Sequence, residues 1–118
     1  MSLTSEKPKD LQTPTTHFLT IADTNGTVVL KKGDFLNLTL QDFGDGGYAW
    51  TVTKIDSKLL FQTEQSTWGS SGMLGDFGKD TWIFSAIGIG STTLNLECAR
   101  PFGDHEVCQQ FSIHVDIV

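Results

Sequence analysis

A chain of 118 residues with a formal charge of −6 has room for one domain of ordinary size and repels the phosphate backbone of nucleic acid, so no nucleic-acid partner is expected. Apolar residues at 38% and charged residues at 19% exclude a disordered or membrane-embedded composition. No run reaches the roughly 18 consecutive apolar residues that cross a bilayer as a helix.

Residues 1–16 hold Lys, Pro, Asp, Gln and Thr without periodicity and read as a flexible arm. Met1-Ser2-Leu3 reads as an expression remnant in front of a trimmed natural start, and Met1 to Thr16 has no apolar leader core. The domain proper is expected over 17–118. From there, short alternating runs separated by turn residues predict an all-β sandwich of about seven to eight strands.

His17 to Ala22 is a first strand, followed by the turn signal Asn25-Gly26. Thr27 to Leu30 is a second, closed by Lys31-Lys32-Gly33-Asp34. The third is the clearest, with Leu36, Leu38 and Leu40 facing one side and Asn37, Thr39 and Gln41 the other. After Phe43-Gly44-Asp45-Gly46-Gly47, the row Tyr48, Trp50 and Val52 reads as core. Leu59 to Gln65 is the fifth strand, and the glycine-bearing stretch Trp68 to Asp80 is the longest loop. Trp82, Phe84 and Ala86 form a sixth inward row; Leu94, Leu96 and Cys98 form a seventh beyond Gly88-Ile89-Gly90. Arg100 to Glu106 is a loop, and Phe111, Ile113, Val115 and Ile117 are the last inward row. The breaks at 42–47, 68–80 and 100–106 follow strands three, five and seven, so they are expected to cluster at one end, where binding loops usually sit.

Catalytic signatures are missing. There is no G-x-S-x-G elbow and no convergent acid, base and nucleophile, so no enzyme is expected. His17 and His114 read as solvent-facing strand residues, and His105, between Asp104 and Glu106, as a solvated charged turn. Asp42, Asp45 and Asp76 offer oxygens to Ca²⁺, but their spacing matches no EF-hand loop, and Asp beside Gly is ordinary turn chemistry. No metal or cofactor is expected. Asn25-Gly26-Thr27 and Asn37-Leu38-Thr39 match the glycosylation acceptor pattern.

Cys98 and Cys108 flank the third loop with neither C-x-x-C nor zinc spacing. The alternation puts Cys98 on the inner face and Cys108 on the outer. A bulge around Gln109-Gln110 would restore the parity that a cross-strand bridge needs. The sequence leaves open a disulfide or two free thiols. A bridge would imply an oxidising compartment and would brace the loop.

Three loop sequences carry a resemblance. Arg100-Pro101-Phe102 follows the seventh strand, Gly75-Asp76-Phe77-Gly78 follows Met73-Leu74, and Gly44-Asp45-Gly46-Gly47 precedes Tyr48-Ala49-Trp50. In this order and placement they resemble the chagasin family of cysteine-peptidase inhibitors, which carries Arg-Pro-Trp, Gly-x-Gly-Gly after a Leu pair, and Asn-Pro-Thr-Thr-Gly before Tyr/Phe-x-Trp. The resemblance runs from Phe18 to the C-terminus. Phe102 replaces the family's Trp, Phe77 stands where a glycine would be, and the paired threonines of the first loop are absent. The resemblance implies an immunoglobulin-like sandwich whose three loops wedge reversibly into the cleft of a papain-like peptidase. It also implies an extracytoplasmic setting, and the inhibitor is expected to act as a monomer. The competing readings are an immunoglobulin-like surface module that binds another protein or carbohydrate, with Trp68 as its contact, and a calcium-dependent structural domain.

Overall fold

The computed structural model describes residues 13–68 and 78–118. Its eight strands are β1 (Thr16–Leu19), β2 (Gly26–Leu30), β3 (Phe35–Gln41), β4 (Ala49–Lys54), β5 (Leu60–Trp68), β6 (Lys79–Ala86), β7 (Gly90–Ala99) and β8 (Val107–Ile117). They form two four-stranded sheets, β1-β3-β6-β5 and β2-β8-β7-β4, an immunoglobulin-like sandwich as expected.

The alternating rows meet between the sheets. Leu36, Leu38 and Leu40 of β3, with Trp82 and Phe84 of β6, face Leu94, Leu96 and Cys98 of β7 and Phe111, Ile113, Val115 and Ile117 of β8 in one core. Each large apolar side chain enclosed this way contributes about 1.5–3 kcal/mol relative to exposure, so the period-2 pattern sets the register.

The N-terminal segment departs from the single strand expected over His17 to Ala22. β1 ends at Leu19, and Ile21–Asp23 is a 3-10 turn. Thr20 and Asp23 cap it reciprocally: Ala22 N donates to Thr20 Oγ1 at 3.3 Å and Thr20 N donates to Asp23 Oδ2 at 2.9 Å. Asn25, at φ 66°, completes the reversal. The chain thereby changes sheets, so that β1 pairs parallel with β3 and β2 parallel with β8.

The β2–β3 turn is organised by Asp34, which is buried. Its Oδ1 accepts from Thr15 N at 3.0 Å, and its Oδ2 accepts from Lys31 N at 3.0 Å. Burial raises its pKa, but these bonds and the neighbouring His17 imidazole outweigh that and hold the carboxyl below the usual range. His17 Nε2 lies 3.0 Å from Asp34 Oδ2. His17 is therefore a half-buried partner of Asp34 rather than the solvent-facing residue its alternation suggested. A surface cavity of about 650 Å³ at this end is lined by His17, Lys31, Lys32 and Asp34. It lies away from the loops named above.

Strand directions follow from the pairings. β3 and β5 each run antiparallel to β6, and β7 runs antiparallel to both β4 and β8. Hence β3, β5 and β7 deliver their following loops to the same end.

Candidate functional site

The first of these loops winds tightly. Asp42 Oδ1 accepts from Gly44 N at 2.5 Å, and Gly44–Gly46 forms a 3-10 turn closed by Gly47 N donating to Gly44 O at 2.9 Å. A Cβ on Gly44 would lie 2.8 Å from Asp42 Oδ1, and Gly47 has φ 85°. The Gly47 position therefore favours glycine, while a side chain at Gly44 would displace the Asp42 carboxylate from its bond to the turn. Trp50 holds the base: its Nε1 donates to Gln41 O at 2.8 Å while its ring is buried.

The second loop meets the first at its root. Asp42 N donates to Gly78 O at 3.2 Å, and Gly78 is buried at φ 79°. The predicted site residues Gly75, Asp76 and Phe77 lie outside the described residues, as do the side chains of Asp45 and Trp68.

The third loop closes where Arg100 N donates to Glu106 O at 2.9 Å. Gly103 at φ 77° and His105 at φ 53° turn the chain. Phe102 projects to solvent, 77% exposed. His105 Nε2 lies 2.9 Å from Glu97 Oε2, so this histidine has a carboxylate partner on β7.

Arg100 joins the third loop to the first. Its Nε donates to Gly46 O at 3.3 Å, its Nη1 donates to Glu106 Oε1 at 3.1 Å, and its Cζ lies 4.8 Å from the Tyr48 ring centre. Burial, followed by the adjacent Glu106 carboxylate, pushes the Tyr48 hydroxyl above its ordinary pKa. Tyr48, read from its alternation as core, is instead a half-buried residue at this junction. The signal that could have found it is its place directly after Gly46-Gly47, beside the bracket of opposite charges Arg100 and Glu106.

Two pairs lie beneath the loops. Asp80 is buried on β6, and its Oδ1 has no hydrogen-bond partner among the described residues. Burial pushes this carboxyl up; a Thr67 hydrogen bond opposes the shift, and the neighbouring Asp42 carboxyl adds to it. The strand pattern gave no hint of this pair. The other pair is Cys98 and Cys108, which are free thiols. Cys108 Sγ donates to Cys98 Sγ at 2.9 Å. Cys98 pairs with Gln109 and Ala99 with Val107, so Cys108 itself is the bulged residue. The parity correction thus occurs one step before the Gln109-Gln110 position expected for it. Burial, then the Cys108 thiol, pushes the Cys98 pKa up to about 12.

The arrangement presents projecting backbone and an exposed aromatic. Among the described residues no three His, Cys, Asp or Glu side chains gather as a metal site. Asp42, read as a calcium oxygen donor, is engaged with Gly44 N and stands beside Asp80.

Comparison with known families decides the relationship. Residues 29–115 match the chagasin family peptidase inhibitor I42. The chain belongs to the chagasin family. Its members are inhibitors rather than enzymes, in line with the missing catalytic set. Among solved structures, this chagasin-family chain is similar to the cysteine protease inhibitor EhICP2 from Entamoeba histolytica, with TM-score 0.75 and 18% identity over 88% of this chain and 96% of that one. It is similar to amebosin, with TM-score 0.70 and 21% identity over 91% and 100%. It is also similar to PbICP-C in complex with falcipain-2, with TM-score 0.69 and 16% identity over 86% and 99%. At these identities the likeness is one of fold. No curated protein matches the sequence.

Proposed function

We propose that residues 17–118 form a reversible, non-covalent inhibitor of papain-like cysteine peptidases, acting through three loops inserted into the active-site cleft. The observation that carries this reading is the pair of bonds at the loop roots, Asp42 N to Gly78 O and Arg100 Nε to Gly46 O. They hold segments of three distant parts of the chain side by side at one end of a rigid sandwich. A projecting, braced edge suits a cleft, because ordering costs are met before binding.

The Gly44–Gly47 turn sits centrally, over the nucleophile. Asp45 there brings a carboxyl group where the family's threonines are missing, and an imidazolium in the cleft is its natural partner. Pro101 and Phe102 flank one side, and Gly75, Asp76, Phe77 and Gly78 the other. Phe102 is the apolar anchor of the third loop, since aromatic residues dominate interface hot spots. A wedge of this kind buries roughly 1,600 Å² in total, the usual area of a protease–inhibitor pair.

The site of action is outside the cytoplasm. The family relationship favours this. No helix among the described residues is long and apolar enough to cross a membrane. Titration of papain with the purified protein tests the reading: loss of activity in proportion to added protein supports it, and full activity with the protein in large excess contradicts it.

A further inference from the structure

We infer that Arg100 is a positioning residue: its guanidinium fixes the Gly44–Gly47 turn against the third loop, and its contribution to inhibition comes through that turn rather than through contact with the peptidase. The inference rests on the inhibitory reading and deepens it. The family pattern makes Arg100 the first residue of a binding motif, alongside Pro101 and Phe102. The structure gives it a different orientation from its neighbour. Phe102 points outward, whereas Arg100 folds back with three engagements: Nε on Gly46 O, Nη1 on Glu106 Oε1, and its plane on the Tyr48 ring.

Each engagement uses a property specific to arginine. Two donors of a rigid fork serve two different loops, and the flat cation rests on an aromatic face. An exposed ion pair contributes little to global stability, and the Arg100 and Glu106 side chains are 46% and 60% exposed. The turn's other bonds are local: Gly46 N donates to Phe43 O at 3.1 Å and Gly47 N to Gly44 O at 2.9 Å. Gly46 also lies against the Tyr48 ring, which a Cβ there would approach to 3.1 Å and on which the Arg100 guanidinium rests, whereas nothing would lie within 4 Å of a Cβ at Gly47. Gly46 O is therefore the handle by which Arg100 holds the turn to the third loop. A glycine turn left unheld samples many conformations, and selecting one of them on binding weakens affinity.

Two readouts on Arg100→Ala and Arg100→Lys test this. The first is the amide NMR spectrum and hydrogen exchange of Gly46 and Gly47 in the free protein. The second is the inhibition constant against papain. Arg100→Ala is expected to leave the melting temperature nearly unchanged, to shift and loosen both amides, and to weaken inhibition about tenfold. Arg100→Lys keeps the charge without the fork and is expected to recover less than half of either effect. Weaker inhibition with unchanged amides would mean that Arg100 touches the peptidase directly and would overturn the inference, as would full rescue by Lys. If the unaltered protein does not inhibit papain, the inhibitory reading falls by itself. The amide readout still decides whether Arg100 holds the turn.

Discussion

The indoles of Trp50 and Trp82 meet edge to face with ring centres 6.4 Å apart, one from each sheet. Trp82 sits in the middle of β6 and is fully buried; Trp50 lies at the start of β4, and its Nε1 donates to Gln41 O at the end of β3. One contact thus does two jobs: it joins the sheets and it ties down the strand end from which the first loop springs.

Trp50→Phe is expected to keep most of the ring packing but to leave Gln41 O without its donor. The loss of this part-buried hydrogen bond corresponds to about 0.5–1.5 kcal/mol, measured by chemical denaturation. A variant as stable as the parent would show that the carbonyl finds another donor.

Asp80→Asn is expected to stabilise the protein by about 0.5–2 kcal/mol at pH 7, within the range of single charge optimisations. Burial and Asp42 raise the folded-state pKa of Asp80 above 3.8, against the Thr67 hydrogen bond. A raised carboxyl contributes its stability fully below the unfolded value of 3.8 and loses it as pH rises through the higher folded value. The advantage of Asn should therefore shrink as pH falls toward 3.8. Thermal melts of both proteins across this range measure it, and an equal gap at every pH would contradict the account.

Cys98 and Cys108 are expected to close into a disulfide on exposure to glutathione disulfide. The two thiols give up two protons and two electrons, and the oxidant leaves as two glutathione molecules. The attacking thiolate is that of Cys108, because Cys98 is fully buried with a pKa of about 12. Closing so short a loop stabilises by up to about 3 kcal/mol. Mass spectrometry before and after reduction, with melts of both forms, reads this out. Two thiols that both remain alkylatable after oxidation would refute it.

Phe102→Ala is expected to weaken peptidase binding by about 2 kcal/mol or more, and Asp104→Ala by less than about 0.5 kcal/mol, as for an anchor and a rim residue. Both positions are exposed, so folding should be unaffected in each. Equal effects in an inhibition titration would remove Phe102 as the anchor.

The sandwich was legible because strand alternation carries the information. Leu36, Leu38 and Leu40, and Phe111, Ile113, Val115 and Ile117, could only bury together in one register. The first strand was overread because Ile21 continues the apolar look of Leu19, while the Thr20–Asp23 cap that stops the strand is a polar, local device. The clustering of loops followed from strand count alone. What joins them did not, because Arg100 and Gly46 are 54 positions apart and no periodicity links a guanidinium to a backbone carbonyl at that distance. The buried Asp80 was hidden for a related reason: a charged residue beside Lys79 at a strand start looks like a solvated loop edge. The displacement of the bulge to Cys108 reflects the loop itself. The chain must re-enter β8 at Val107 opposite Ala99, which leaves one residue too many before Gln109 reaches Cys98.

The most direct test of the central claim is a residual-activity titration of papain and of a cathepsin-L-like enzyme with the purified protein. Activity is expected to fall stoichiometrically with added protein and to recover on dilution, as for a reversible wedge. Undiminished activity of both enzymes at micromolar protein would contradict it: the sandwich and its braced loops would remain, without the cleft they are proposed to fill.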